Sequence, residues 1–375
     1  MAYNLGVIGM GHWFERLYAG MVKTNEIKLY KVAGASGVES KRERLANLNV
    51  PQSNYYQIRD SDPIPDAFFE GLDIVHVSDP NEFHAQQTLQ SLAEGKIVLT
   101  EKSFGGNRQE FDKVLDYIEK NALQNKVYLH LHYAHKLLTM GLPEMLKRMT
   151  NEYGKIVSTS FTFFEPENPN VDKRRLWLFQ MKNGGVFMDL IHPFEIYYKG
   201  ALVESFELIE AFPYVVNPDY TTKDPTAVHA RVKVSGTFFK DGAVADIRVA
   251  IGLKIQNQRK CMRILFEKGQ CLDLEYIDSE SEYKTDSRGV WMLRAAMNGN
   301  MIESGAPKGP TPPDILVNDI LELCRGRNLG FTPNDLRIIF ASQWRYQETL
   351  KSTPLITDGA RNEQFVNDGL QNKMG

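Results

Sequence analysis

Two separated groups of residues have the types and spacing that chemistry needs. Gly9-Met10-Gly11 follows an apolar run at the start of the chain, and Glu101-Lys102-Ser103 follows the apolar run Ile97–Thr100. Glycines at a sharp strand-to-helix turn carry no Cβ. The backbone can then approach a pyrophosphate, which sits on the free N–H groups of the helix N-terminus. The third glycine of a G-x-G-x-x-G pattern is missing, because position 14 is Phe14. A plain tight turn is the competing reading of the remaining pair. Lys102 would stand at the carboxyl edge of its strand, where a lysine can hold a substrate hydroxyl by a charge-assisted hydrogen bond. Further on, Asn183-Gly184-Gly185 leads to Asp189 and His192. Three apart on a helix, the two side chains share a face. A histidine oriented by a carboxylate can take the proton of an alcohol as its hydride leaves. Alone the pair is weak, since satisfied buried histidines are commoner than catalytic ones. With Lys102 it becomes specific.

The second strand sets the expected cofactor. It ends in Val32-Ala33-Gly34-Ala35-Ser36-Gly37-Val38, where an NAD enzyme places Asp or Glu for the ribose hydroxyls. Ser36, with Lys41 and Arg42 behind it, suits a 2′-phosphate instead. NADP is therefore expected, with NAD the alternative. The competing reading of Lys41 and Arg42 is a solvated helix face. His130, His132 and His135 cluster at the end of another strand. They do not complete a metal set with a cysteine or carboxylate in the sequence pattern, so no metal is expected. These histidines, with Tyr133 and Lys136, would border the substrate pocket or the domain hinge, and His132 and Tyr133 are the candidate substrate contacts among them. Lys173-Arg174-Arg175 precedes Trp177; Arg175 and Trp177 are candidate substrate contacts for an anionic group. A solvated loop is the equal alternative.

These residues need elements to carry them. Leu5–Ile8, Ile27–Ala35, Asp73–Ser78, Ile97–Thr100 and Val127–Leu131 read as strands. His12–Met21, Lys41–Leu48, Glu82–Glu94 and Arg108–Lys120 read as the helices between them. Such alternation implies βαβ units and a parallel sheet. Beyond about Ala134, a helix over His135–Met149 gives way to longer strand-like runs. These are Ile156–Glu165, Ser205–Val215, Val228–Phe239, Val244–Ile255 and Met262–Ile277. Period-two alternation marks sheets with one solvated or interface face. Lys240-Asp241-Gly242 reads as a hairpin between two of them. Ile315–Cys324 and Asn334–Ser352 read as closing helices, and Ser304–Pro313 as a loop. The expected fold class is α/β: an N-terminal Rossmann domain over 1–133, then a C-terminal α/β domain over 134–355 with a large, mostly antiparallel open sheet. Residues 356–375 are expected to be a peripheral tail.

Composition bounds the function. At 375 residues, two domains are natural. A net charge of −3 argues against a nucleic-acid partner. No apolar run approaches the ~20 residues that span a bilayer, so no membrane partner is expected. The N-terminus carries no signal-peptide pattern. The three cysteines, Cys261, Cys271 and Cys324, are sparse and lack metal spacing. A reducing cytoplasm suits them.

The chain resembles the glucose-fructose oxidoreductase / inositol dehydrogenase / MocA family over nearly its whole length, to about residue 355. The residues that carry the resemblance are Gly6-Val7-Ile8-Gly9-Met10-Gly11, Ser78-Asp79-Pro80-Asn81-Glu82-Phe83-His84 and Thr100-Glu101-Lys102-Ser103. Gly184-Gly185 before Asp189 and His192, and Phe331–Arg337, complete it. The resemblance implies an NAD(P)-dependent oxidoreductase acting on a sugar, polyol or sugar derivative, as a homodimer or homotetramer built on the C-terminal sheet. It implies that Gly9, Gly11, His12 and Trp13 form the phosphate turn. Pro80, Asn81 and His84 flank the nicotinamide, Glu101 and Lys102 contact the cofactor, and Lys102 also contacts substrate. His192 is the acid/base and Asp189 its companion carboxylate. Three positions depart from the family pattern. Phe14 replaces a small residue, Ser103 replaces a proline, and the Asp-to-His spacing is three where four is usual. A redox-assisted glycosidase of the same fold and a non-catalytic dinucleotide sensor are the alternatives.

Overall fold

A computed structural model describes the chain except residues 1, 11–13, 15–17, 19, 22–23, 60–61, 132–140, 169–178, 181–184, 222, 256–258, 279–290, 306–311 and 372–375. At 187–189, 276–278, 291–293, 303–305 and 312–313 it describes the backbone alone. The chain divides into two compact units. One is Met1–His132 with Pro310–Asp335, and the other is Tyr133–Gly309 with Leu336–Gly375.

The first unit is built on six parallel strands in the order β3-β2-β1-β4-β5-β6. They are β1 (Tyr3–Ile8), β2 (Ile27–Gly34), β3 (Tyr55–Gln57), β4 (Ile74–Val77), β5 (Ile97–Glu101) and β6 (Val127–His130). Helices α1 (Arg42–Asn47), α2 (Asp66–Phe69), α3 (Asn81–Ala93) and α4 (Arg108–Lys120) fall between strands. Parallel strands are covered on both faces, which explains why all of β4 and the end of β1 are buried. Asn107 starts α4 by accepting the Glu110 N–H at 3.0 Å, and Phe111, Val114, Leu115 and Ile118 give that helix its buried stripe. Lys31 is nearly buried in β2. Its ammonium donates to the carbonyls of Ala67 and Glu70 at 2.6 and 2.7 Å, closing the carboxyl end of α2.

The second unit holds a mixed eight-stranded sheet in the order β14-β13-β12-β11-β7-β10-β9-β8. Its strands are β7 (Ile156–Pro166), β8 (Val203–Tyr214), β9 (Ala227–Gly236), β10 (Phe239–Leu253), β11 (Arg259–Phe266), β12 (Cys271–Asp278), β13 (Trp291–Met297) and β14 (Asn300–Gly305). Only β7 and β10 pair in parallel; the other pairs are antiparallel. Helix α5 (Leu142–Tyr153) precedes the sheet and α6 (Phe187–Gly200) lies between β7 and β8. Near the chain end come α7 (Pro312–Cys324), α8 (Pro333–Leu350) and α9 (Gly359–Gln371).

Several expectations need correction. A single boundary after residue 133 does not describe α7, which returns to the first unit. Leu316, Val317, Ile320, Leu321 and Leu323 join the core of Leu5, Leu99 and Tyr128, and the Tyr128 hydroxyl donates to Asp319 at 2.8 Å. The run Met262–Ile277 is two strands, because Phe266 N–H closes a turn onto the Gln270 carbonyl with Gly269 at φ 84°. The β9–β10 turn falls at Thr237-Phe238, and Lys240–Gly242 lies inside β10 at a register shift, with Gly242 at φ 79°. Residues 356–375 are not a peripheral tail. Ile356 bridges Tyr214, and α9 lays Phe365 on Tyr214 and Phe164, with ring centroids 4.6 and 5.5 Å apart. Gly369 allows that approach, since a Cβ there would lie 2.4 Å from the Phe164 ring.

Phe365→Ala is expected to destabilise the fold by about 3–5 kcal/mol in urea unfolding. An unchanged transition would return this helix to the periphery.

Candidate functional site

In the first unit the strand order reverses between β1 and β4, and ligands of open parallel sheets bind at the carboxyl ends beside such a reversal. Gly9 stands there at φ 83°. A Cβ on it would lie 2.3 Å from Asp79 Oδ1, so both the backbone conformation and the space require glycine. The Ser78 hydroxyl donates to the Gly9 carbonyl at 2.6 Å, and the Gly9 N–H to Ala33 at 2.9 Å. Gly11, His12 and Trp13 lie outside the described residues. Phe14 is fully buried, with its ring 6.4 Å from His76.

Pro80 caps α3, which carries Asn81 and His84. His84 is 1% exposed, with Nδ1 2.6 Å from the Ser103 carbonyl and Nε2 2.6 Å from the Asp79 carbonyl. Burial holds this imidazole below the ordinary histidine range, against the pull of the two carbonyl acceptors. A neutral ring donates to one of them at a time. Asp79 also accepts from Gln87 at 2.9 Å.

At the end of β5, Glu101 occupies a setting that the sequence pattern did not reveal. Its carboxylate is 3.1 Å from His76 Nε2 on β4 and 3.1 Å from His130 Nδ1 on β6. Burial alone would raise the Glu101 carboxyl. The His130 and His76 imidazoles outweigh it and hold the group well below the usual carboxylate range. His130 thus meets a carboxylate; His132 and His135 lie outside the described residues. Among the described residues no group of three or more His, Cys, Asp or Glu side chains is arranged to hold a metal ion. Lys102 follows, half-buried, and the Lys102–Ser103 peptide bond is cis. The Ser103 hydroxyl donates to the Gly105 carbonyl.

At the end of β2, Ser36 is exposed, and its carbonyl accepts from the Tyr55 hydroxyl at 2.5 Å. Lys41 is half-buried and Arg42 exposed. Arg42 pairs with Glu39 at 2.5 Å, an acid one residue past the stretch in which none was expected. Both side chains are largely solvated, so the pair is weak and Arg42 remains available to an anion.

In the second unit, α6 carries His192 in its second turn. The residue that orients it is Glu195, with Oε1 2.5 Å from His192 Nδ1. Both are buried, and the imidazole lies 5.3 Å from the Phe163 ring. Asp189 is in the same helix, and its side chain lies outside the described residues. Pro193 follows His192 inside the helix and supplies no N–H to the carbonyl one turn back. Glu195 was legible in principle: it stands three residues after His192, the spacing that drew attention to Asp189 before it. His132, Tyr133, Arg175 and Trp177 lie outside the described residues.

No family model matches the chain, and no curated protein matches it in sequence. Solved structures do. UDP-N-acetylglucosamine 3-dehydrogenase GnnA from Acidithiobacillus ferrooxidans is 16% identical, over 93% of this chain and 97% of that one, with a TM-score of 0.61. A 3-ketoreductase from Actinomadura kijaniata, in complex with NADP and TDP-benzene, is 14% identical over 96% and 100%, with a TM-score of 0.70. The chain thus matches oxidoreductases of the glucose-fructose oxidoreductase / inositol dehydrogenase / MocA type in structure, over nearly its whole length and at low identity.

Because the folded-state pKa of Glu101 is depressed, its ionised form stabilises the fold above the ordinary value of 4.5, and that contribution is lost as pH falls below it. The Tm difference between wild type and Glu101→Gln is expected to be largest near neutral pH and to shrink in acid. A difference independent of pH would refute the pairing.

Proposed function

We propose that the chain is an NAD(P)-dependent oxidoreductase that moves a hydride between the nicotinamide and a hydroxyl-bearing carbon of a sugar, polyol or sugar derivative, with NADP preferred. The observation that carries this reading is Lys102 at the carboxyl end of β5, beside the strand-order reversal that Gly9 occupies. The residues present fit a dinucleotide. Gly9 carries the chain through a turn closed to any side chain. Ser36, Lys41 and Arg42 offer a hydroxyl and cations to a 2′-phosphate, with Glu39 paired to Arg42 in a solvated contact that an anion can displace. The structural neighbours favour the reading, one being a sugar-nucleotide 3-dehydrogenase and the other a 3-ketoreductase holding NADP.

The bound dinucleotide supplies the hydride acceptor or donor. Lys102 donates a hydrogen bond to the reacting oxygen and favours its alkoxide character. His192 takes the hydroxyl proton. Glu195, accepting from Nδ1–H, fixes the tautomer in which Nε2 is the basic nitrogen and stabilises the imidazolium that forms. Asp189, on the same helix, is a second candidate for that role. Pro80, Asn81 and His84 belong beside the nicotinamide. Gly11, His12 and Trp13 complete the phosphate turn. His132, Tyr133, Arg175 and Trp177 are proposed substrate contacts.

Self-association through the second unit's sheet also fits. One face of that sheet carries ordered ion pairs, Arg231–Glu210 and Arg263–Asp273 at 2.6 Å, with Asp246 held by His229 and Arg248. Such pairs favour one register over non-specific edge or face contact. No helix among the described residues is long and apolar enough to cross a membrane. Cys261, Cys271 and Cys324 are free thiols, which accords with the proposed cytoplasmic location.

Reduced-nicotinamide absorbance on mixing the protein with NADP or NAD and pooled sugars, polyols and sugar nucleotides tests the reading. Signal is expected with NADP at lower cofactor concentration than with NAD. Lys102→Ala is expected to lower kcat about a hundredfold or more. Tighter binding of NAD at equal ionic strength would remove the NADP preference. Tightly held cofactor without net reduction would indicate a redox-assisted glycosidase. Cofactor binding that is indifferent to Lys102→Ala, without turnover of any kind, would indicate a sensor.

A further inference from the structure

Lys102 is bracketed by residues that buried histidines hold. Before it, the Glu101 carboxylate is gripped from both neighbouring strands, by His76 Nε2 and His130 Nδ1, each at 3.1 Å. After it, the Ser103 carbonyl is held by His84 at 2.6 Å. His76, His130 and His84 are 0%, 3% and 1% exposed. The strand register explains the grip. Glu101 pairs with His130 on β6, and Leu99 pairs with His76 on β4. Side chains two apart on a strand share a face, so Leu99, His76, Glu101 and His130 lie together. Thr100 points to the other face, where its hydroxyl meets Thr88 of α3 at 2.8 Å. The last turn of β5 is therefore fixed on both faces before the chain reaches the lysine.

Hydride transfer as proposed has no use for His76 or His130. Filling the core does not explain them either, because apolar side chains would fill it without a buried charge to satisfy. What they do is anchor one carboxylate to two strands. A lysine side chain is long and flexible, so the order that the backbone can supply is the position and direction of its Cα–Cβ bond. We infer that His76 and His130 are positioning residues for Lys102: by holding Glu101 from β4 and β6, they fix the strand end from which the lysine reaches its substrate. The inference rests on the reading of Lys102 given above. Without its donors the Glu101 carboxylate is a desolvated charge with no partner. It takes up a proton or turns toward water, and either change shifts the strand end.

The experiment compares two kinds of substitution. His76→Phe and His130→Phe keep a ring and remove the donor. His76→Gln and His130→Asn place an amide N–H where Nε2 and Nδ1 stand, respectively. Three quantities are measured: kcat, KM, and the NMR resonance of Lys102 after reductive ¹³C-methylation, assigned with Lys102→Arg. The Phe variants are expected to lose about ten- to a hundredfold in kcat, the scale of a misplaced reacting group, with a smaller change in KM. Their Lys102 resonance is expected to move to the position of solvent-exposed lysines. The amide variants are expected to recover most of kcat and to keep the wild-type resonance. Phe variants that retain kcat and resonance overturn the inference, as do amide variants impaired as badly as the Phe variants. Should a Phe variant fail to fold, Glu101→Gln makes the same prediction for the Lys102 resonance, and an unmoved resonance overturns the inference. Absence of wild-type turnover would count against the hydride-transfer reading alone, since the resonance still reports whether the histidines hold the lysine.

Discussion

A parallel sheet that reverses its strand order leaves a crevice at the carboxyl ends of the two strands that flank the reversal, and the turns that line it must find their hydrogen-bond partners in one another. The first unit is organised around that constraint. Gly9 leaves β1 where a Cβ would strike Asp79. The turn after β4 then serves several partners at once: Ser78 binds the Gly9 carbonyl, and Asp79 receives both His84 and Gln87. The same His84 ring also lies 2.6 Å from the Ser103 carbonyl, and it donates to one of the two carbonyls at a time. The cofactor turn, the loop proposed to face the nicotinamide, and the loop of the proposed catalytic lysine are thereby one hydrogen-bonded assembly. A change in any of its members is felt by the others, because buried polar groups that lose partners cost about 1–3 kcal/mol each.

Two of the carboxylates that meet imidazoles among the described residues, Glu101 and Glu195, sit in settings that suit them to different work. Glu101 has two imidazole partners, one from each adjacent strand, and its carboxyl is held ionised far into acid. An ion so strongly committed is a poor proton carrier and a good anchor. Glu195 meets His192 through Nδ1 on a single helix. That contact fixes the orientation of the ring from within the helix that carries it. The carboxylate nearer the proposed lysine is thus structural, and the one paired with the proposed base is electrostatic.

Much of this was legible in the sequence, and the physics explains which part. Strands buried on both faces announce themselves as continuous apolar runs, so the parallel sheet and the places of Gly9 and Lys102 could be read directly. The end of the second sheet was not read: β14 mixes polar with apolar residues, and β13 is placed by its pairing with β12. Their turn, Asn298-Gly299 at φ 48° and 81°, is nevertheless a strong two-residue hairpin signal. The return of α7 to the first unit was not readable from local pattern, since it depends on long-range contacts such as Tyr128 with Asp319. His76 was hidden for a similar reason. Within Asp73–Ser78 it looks like a polar interruption of a buried strand, and only its neighbour on β5 explains why a polar residue is tolerated there.

Phe14 takes its sense from the same neighbour. A small residue at this place in a phosphate-binding turn allows close packing of helix on strand. Here the strand beneath carries an imidazole instead of an apolar side chain, and the Phe14 ring lies against it, tilted 43°. The ring fills the space that a small residue would leave over His76. The large residue at 14 and the histidine at 76 are in this sense one feature: the aromatic ring covers the imidazole whose Nε2 reaches the Glu101 carboxylate directly before Lys102.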